Sequence, residues 1–328
     1  MRKKTGYLRF TLLLTLLLIP VSLCLGRYAL NLRDLAQACL HPAEYPREAG
    51  ILFDIRLPRV LGACLVGGSL SLAGAVMQSV FHNPMATPDL LGTSSGACFG
   101  AALAMLLGAS SGTVLTASFT SGLLPVLAVI LICKKTGRSG QVTMILTGLV
   151  VGSLFTAGTS CVKLLADQEN RLPAITYWMM GSLSAVSGVK VLTACVPALP
   201  AAAVLFCLRY RLNALQLSDG EARAIGVDIR RLRILALMCA VLLTASAVSL
   251  GGLIGWVGLL IPNLCRRLAG NDCRRLLPLS FVAGGGYLLI MDDLARTMLT
   301  VEIPIGILTA MIGAPLFLII LFRKEATE

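Results

Sequence analysis

Apolar residues in this chain neither alternate nor mark one face of a helix. They run almost unbroken for about twenty positions at a time, and the polar residues collect in the gaps. Such runs lie at about 8–26, 57–81, 92–108, 114–133, 142–162, 190–208, 234–250, 252–265, 277–298 and 304–322. A helix needs roughly 20 apolar residues to cross a hydrocarbon layer of about 30 Å. A lone strand there would leave its backbone unpaired, so the runs are read as helices. The pattern predicts an all-α polytopic membrane protein with about ten transmembrane helices. It leaves no room for a sizeable soluble domain, so residues 1–328 form one transmembrane domain.

The stretch 234–265 carries no charge, and basic clusters flank both of its ends. As one helix it would extend about 48 Å, well beyond the hydrocarbon core. Two shorter helices turning near Gly251-Gly252 keep both clusters on one side. Other Lys and Arg clusters, at 2–9, 134–138, 209–233, 266–275 and 323–324, fall on that same side when the N-terminus is placed in the cytoplasm. Cytoplasmic loops carry such an excess, so both termini are expected in the cytoplasm.

Composition agrees. The chain is 56% hydrophobic and 13% charged, with a mean hydropathy of +0.84. A soluble domain carries about 25% charged residues. The net charge of +12 has its cause in topology and does not call for nucleic acid. The start, MRKKTGYLRFTLLLTLLLIPVSLCLG, imitates a signal peptide. With nine further spans following, it is read as an uncleaved first helix. Eleven cysteines lie mostly inside apolar runs without a C-x-x-C pair, and read as small hydrophobes. His41 and His82 sit at span edges, where a loop role outweighs a metal one. No cofactor or metal site is expected.

Small residues repeat at G-x-x-x-G spacing at Gly96/Gly100, Gly108/Gly112, Gly148/Gly152 and Gly251/Gly255. That spacing lets helix backbones approach closely. Gly92-Thr93-Ser94-Ser95-Gly96 also fits the G-x-S-x-G elbow that presents a hydrolase serine. The elbow needs a preceding strand and a histidine base, and this context offers neither. Pro84 and Pro88 instead end the second span, and Thr93, Ser94 or Ser95 is expected to cap the next helix.

Apart from Arg9, Arg59 and Lys190 at the very start of their runs, the spans are nearly free of charge; Asp292, Asp293 and Arg296, near the end of the ninth, are the exceptions. An ion-coupled secondary carrier keeps ionisable groups near the midplane, and a proton or sodium relay has little to work with here. No Gly-Lys dipeptide occurs, hence no phosphate-binding P-loop. The chain is not an enzyme in its own right, and if it pumps, a partner supplies the energy. A docking place is offered by the loop at about 209–233. In LNALQLSDGEARAIGVDIRRLR, Ser218-Asp219-Gly220-Glu221 fits a capping box, Ala222 continues a short helix, and Gly226 suits its C-terminal turn.

Several stretches together resemble the permease subunits of binding-protein-dependent importers, the FecCD or BtuC-like family. They are RLPR at 56–59, GSLSLAGAVMQSVFHNPMATPDLLGTSSGA at 68–97, YWMMGSL at 177–183, LNALQLSDGEARAIGV at 212–227, GGLIGWVGLLIP at 251–262, LLPLS at 276–280, DDLARTM at 292–298 and EIPIGILTAMIGAP at 302–315. The resemblance implies a type II ABC importer permease in the cytoplasmic membrane, carrying a ferric siderophore or a similar metal chelate such as haem or cobalamin. Its implied partners are two ABC ATPase subunits, an extracytoplasmic solute-binding protein and a second copy of the chain or a paralogue. At matching motif positions it implies that Arg56, Arg59 and Arg296 receive the binding protein. It likewise implies that Ser218, Asp219, Glu221, Ala222 and Gly226 couple to the ATPase, and that Gln141 and Val142 begin a gate. Three positions depart from the family pattern. Asn263 and Cys273 stand where histidine is usual, and Leu217-Ser218-Asp219 stands where Leu-Gly-Glu is frequent.

Overall fold

The computed structural model describes residues 2–26, 28, 31–137, 140–216 and 227–325. The described residues are helical or irregular and contain no strand. In chain order the helices are α1 (Arg2–Cys24), α2 (Leu32–Leu40), α3 (Pro46–Gly50), α4 (Leu57–Val80), α5 (Thr93–Leu106), α6 (Ser111–Thr136), α7 (Gln141–Leu165), α8 (Arg171–Met179), α9 (Gly188–Leu208), α10 (Ile229–Gly251), α11 (Val257–Ala269), α12 (Cys273–Thr297) and α13 (Ile305–Glu325). Ten of these, all but α2, α3 and α8, coincide with the ten apolar runs. Among the described residues seven helices are long and apolar enough to cross a membrane by themselves, one of them α3 and α4 joined through a π-helical turn at Ile51–Arg56 into a helix from Pro46 to Val80.

α4 is the axis of the bundle. In its most apolar window 89% of residues are buried, against 6% in α1. It can sit there because its surface is flat. A Cβ on Gly67 would lie 2.2 Å from the Gly284 carbonyl oxygen of α12. One on Gly74 would lie 1.8 Å from the Gly258 carbonyl of α11. Small residues substitute for the hydrophobic drive that lipid removes. Of the G-x-x-x-G pairs, Gly96 and Gly100 press α5 onto α6, and Gly148 and Gly152 press α7 onto residues 90–92. Gly108 lies just past the end of α5, Gly112 and Gly255 have nothing within 4 Å, and Gly251 ends α10.

The charge-free stretch 234–265 does divide. α10 stops at Gly251, whose neighbour Gly252 has φ +71. Residues 252–256 are then irregular, and α11 starts beside Gly74, near the middle of α4. α11 then runs on to the last turn of α4, where Arg266 donates to Gln78 Oε1 and Ser79 Oγ. The same device recurs after α4. Residues 81–92 carry the chain back to mid-depth, where Gly92 meets Gly152 of α7 and Pro125 of α6, and α5 starts from there. Two interrupted crossings therefore meet inside the bundle, with Pro88 packed against Gly258.

The cap of α5 differs from expectation. Thr93, Ser94 and Ser95 do not supply it. Asp89 Oδ1 accepts the Ser94 N–H at 2.8 Å, and Gly92, at φ +78, turns the chain so that the carboxylate reaches back. The short helices α2, α3 and α8 were not foreseen.

Candidate functional site

The interrupted segments enclose a cavity with two connected lobes. The larger, of about 590 Å³, is lined by Leu70, Met180, Trp256, Ile307 and Met311 among others. The smaller, of about 220 Å³, is lined by Ser95, Cys98, Thr156, Thr159, Ser160 and Lys163. Asp89, Ser94, Met179 and Leu253 border both. Irregular backbone at membrane depth is tolerated where it is buried in protein or lines a cavity. The larger lobe is mostly apolar and flexible in its side chains. The smaller carries a larger share of polar side chains, including one carboxylate and one ammonium. Among the described residues no group of three metal-ligating side chains occurs.

Sequence reasoning missed both charges of this cavity. Asp89 sat in a loop with no assigned role. Lys163 fell just past the expected span end at 162, but α7 continues to Leu165 and carries it onto one face with Thr156, Thr159 and Ser160.

The three arginines expected to face a binding protein gather at the end of the bundle where α4 begins and α12 ends. They are not free there: Arg56, Arg59 and Arg296 are 4%, 7% and 5% exposed. Arg56 donates to the carbonyls of Leu23 (2.6 Å), Cys24 (3.0 Å) and Tyr28. Arg59 Nε lies 3.0 Å from both Asp292 oxygens, and its Nη1 lies 3.2 and 3.1 Å from those of Glu302. Arg296 donates to the Ser22 carbonyl at 2.6 Å, to Ser22 Oγ at 2.7 Å and to Asp293. Each cation is thus engaged within its own chain.

Gln141 opens α7 and donates from Nε2 to the Val80 carbonyl (2.9 Å) and to His82 Nδ1 (3.0 Å), which ties the start of α7 to the end of α4. Its neighbour Val142 is 70% exposed. At the same end lies a third cavity, of about 610 Å³, bordered by Gln78, Asn83, Asn263, Arg266 and Arg267. Asn263, in place of the expected histidine, bridges Pro84 O (2.9 Å) and Leu259 O (2.8 Å). Cys273 is fully buried at the start of α12.

Ser218, Asp219, Glu221, Ala222 and Gly226 lie outside the described residues. Their flanks are anchored. Before them a 3₁₀ turn spans Arg211–Gln216, in which Asn213 donates to Asp272 Oδ1 and accepts from the Cys273 N–H, both at 2.8 Å. After them Asp228 caps α10 by accepting the Arg231 N–H at 3.1 Å. Burial opposes ionisation of Asp272, but the Asn213 amide, the Arg274 N–H and the charges of Arg274 and Arg275 outweigh it and hold the carboxyl below its ordinary value. A depressed folded pKa means that its stabilisation is present above the unfolded value of ~3.9 and is lost as pH falls through the folded value. Asn213→Ala should cost about 1–2 kcal/mol and should flatten the acid limb of the unfolding curve below pH 4. Urea titrations at pH 3 and 7 measure both effects.

A model of the FecCD transport family matches residues 13–323. The chain is 38% identical over 319 residues to the molybdate import system permease protein MolB of Haemophilus influenzae, covering 95% of each chain. It is 37% identical to an iron chelatin transport system permease protein of Helicobacter pylori, covering 94% of this chain and 96% of the relative. Among solved structures it superposes on an inward-facing metal-chelate-type ABC transporter with a TM-score of 0.89 and 37% identity, covering 97% of this chain and 99% of that one.

Proposed function

The chain belongs to the FecCD transport family as a multi-pass ABC importer permease, and from that premise we propose that it carries a ferric siderophore or similar metal chelate inward across the cytoplasmic membrane. The observation that carries the reading is the two-lobed cavity between interrupted helices. A large chelate undergoes no chemistry on its way, so it needs a roomy path with few strong contacts, and methionine walls supply adaptable ones. The end bearing Arg230–Arg233 and Arg266–Arg275 faces the cytoplasm in this reading. A second reading is favoured by one finding: the MolB relative is as similar as the iron chelatin one, and the molybdate for which it is named is an oxyanion. Uptake into proteoliposomes of the full complex distinguishes them. Uptake of ⁵⁵Fe-siderophore and not ⁹⁹Mo-molybdate supports the chelate; the reverse result replaces it.

In this reading residues 1–328 act as one permease domain, paired with a second copy or a paralogue. Two ABC ATPases meet the loop at 209–233, and a solute-binding protein meets the opposite rim. Arg56, Arg59 and Arg296 serve that rim by holding its shape, since Asp292, Asp293, Glu302 and backbone carbonyls already engage them. Gln141 and Val142 stand at the cytoplasmic exit as a gate, the first latched to α4 and the second open to a neighbour. Ser218, Asp219, Glu221, Ala222 and Gly226 form the ATPase contact. The anchors at Asn213 and Asp228 would pass its motion to α12 and α10. In the capping box expected here, proline at 221 removes both the N–H that the Ser218 hydroxyl would accept and the carboxylate that would reach back to the cap. Glu221→Pro should therefore leave the bundle folded and cut transport-linked ATP hydrolysis at least tenfold. Transport at the parental rate by a fully assembled Glu221→Pro complex would refute the coupling assignment.

A further inference from the structure

The smaller lobe presents its charges in a fixed order. Thr156, Thr159, Ser160 and Lys163 line it from one face of α7, and the rise of a helix puts Lys163 about 10 Å further along than Thr156. The lysine lies toward the end of the bundle where α7 finishes and Arg171 reaches the Leu106 carbonyl. Asp89 lies at the other end of the lobe, close to where Gly92 meets Gly152. No ion pair joins Lys163 to a carboxylate among the described residues.

The wall between them is one-sided. Thr156 donates its hydroxyl proton to Gly152 O at 3.0 Å, Thr159 to Phe155 O at 2.9 Å and Ser160 to Thr156 O at 3.2 Å. Hydroxyls spent on their own helix in this way offer acceptor lone pairs to whatever passes. Asp89 also occupies the Ser94 N–H, which offsets the positive end of α5 facing the cavity. An anionic oxygen entering the lobe therefore finds one strong donor, Lys163, and then, along the α7 face, hydroxyls that accept because their protons are already spent.

We propose that this lobe is the charge-selective stretch of the transport path: Lys163 receives anionic oxygens of the cargo, and Asp89 with the acceptor wall keeps them from lodging. The cargo class is an oxyanion or a metal complex with negatively charged oxygen ligands. The proposal rests on the permease reading, but its test does not use transport, so the two can fail separately.

A cysteine at Ser160 reports the potential inside the lobe. The full-length protein in lipid nanodiscs, with Cys98 and the exposed native cysteines replaced, is treated with anionic (sulfonatoethyl) and cationic (trimethylammonioethyl) methanethiosulfonates. The rate ratio is normalised to that of a free thiol. In S160C the anionic reagent should be favoured. Lys163→Gln should lower the anionic-to-cationic ratio about tenfold, as expected for one charge three residues along the same helix face, about 6 Å away, at a dielectric near that of water. Lys163→Arg should keep it, and Asp89→Asn should raise it. A ratio unchanged by Lys163→Gln, a fall on Asp89→Asn, or a cysteine inert to both reagents would overturn the proposal. Loss of uptake with the ratios as expected would instead count against the permease reading.

Discussion

Arg59→Leu is expected to cost about 3–5 kcal/mol of stability, the range for removing one partner from a buried ion pair. Asp292 is fully buried and has both oxygens within 3.0 Å of Arg59 Nε, and Glu302 meets the same guanidinium through both of its oxygens. Without the arginine, two carboxylates share a site with only the distant Arg296 Nε, 3.9 Å from Asp292, to offset them. The double variant Arg59→Leu/Asp292→Leu should recover most of the loss, because it removes the fully buried charge along with its partner and leaves only Glu302, whose side chain is 26% exposed to water. Thermal unfolding of the purified protein in detergent measures each, and a single variant as stable as the parent would show that the network does not hold this end together. The result also governs how docking is tested. Reversing Arg56, Arg59 or Arg296 to Glu would break contacts within the chain before it repelled any acidic partner. A weaker affinity for the binding protein would then carry meaning only for a variant shown to be folded.

The ten helices that coincide with the apolar runs were legible because each rule behind them is local. An apolar run of set length must be helical in lipid, and 32 uncharged residues are too many for one crossing, so the turn near Gly251-Gly252 could be placed from length and charge alone. The buried arginines were not legible. Sequence shows a cation at a span end, where exposure is the ordinary outcome, but Asp292 lies 233 positions from Arg59 and nothing local announces the pairing. The α5 cap misled for a related reason. Three hydroxyl residues stand in register to cap, and only the left-handed turn at Gly92 reveals that Asp89 folds back to do it. Lys163 was lost to a boundary error of three residues, enough to move a charge from an apparent loop onto the cavity wall. α8 is nine residues with a proline at Pro173, and neither its length nor its composition separates it from a loop. The docking, gate and coupling assignments came from family resemblance, and they stay proposals that the contacts above sharpen.

Gly74→Ala is expected to abolish the folded bundle or leave it badly destabilised, although it adds a single methyl. The new Cβ would lie 1.8 Å from the Gly258 carbonyl oxygen and 2.6 Å from its carbon. Those atoms are backbone, so no rotamer change relieves the overlap, and α11 must move bodily away from α4. Overpacking a core costs about 1–3 kcal/mol where side chains can adjust, and here they cannot. Pro88 also packs against Gly258, so the displacement would pass into the 81–92 segment and distort the cavity that the interrupted helices border. Gly112→Ala is the matched control: it is also a helical glycine, and nothing lies within 4 Å of its added Cβ. In that setting Ala favours the helix over Gly by roughly 1 kcal/mol, so the control should be as stable as the parent or slightly more so. Size-exclusion profiles and melting midpoints of the two variants test the contrast. If Gly74→Ala eluted as a single species and melted with the parent, the close approach of α4 and α11 would not be the contact that shapes the cavity.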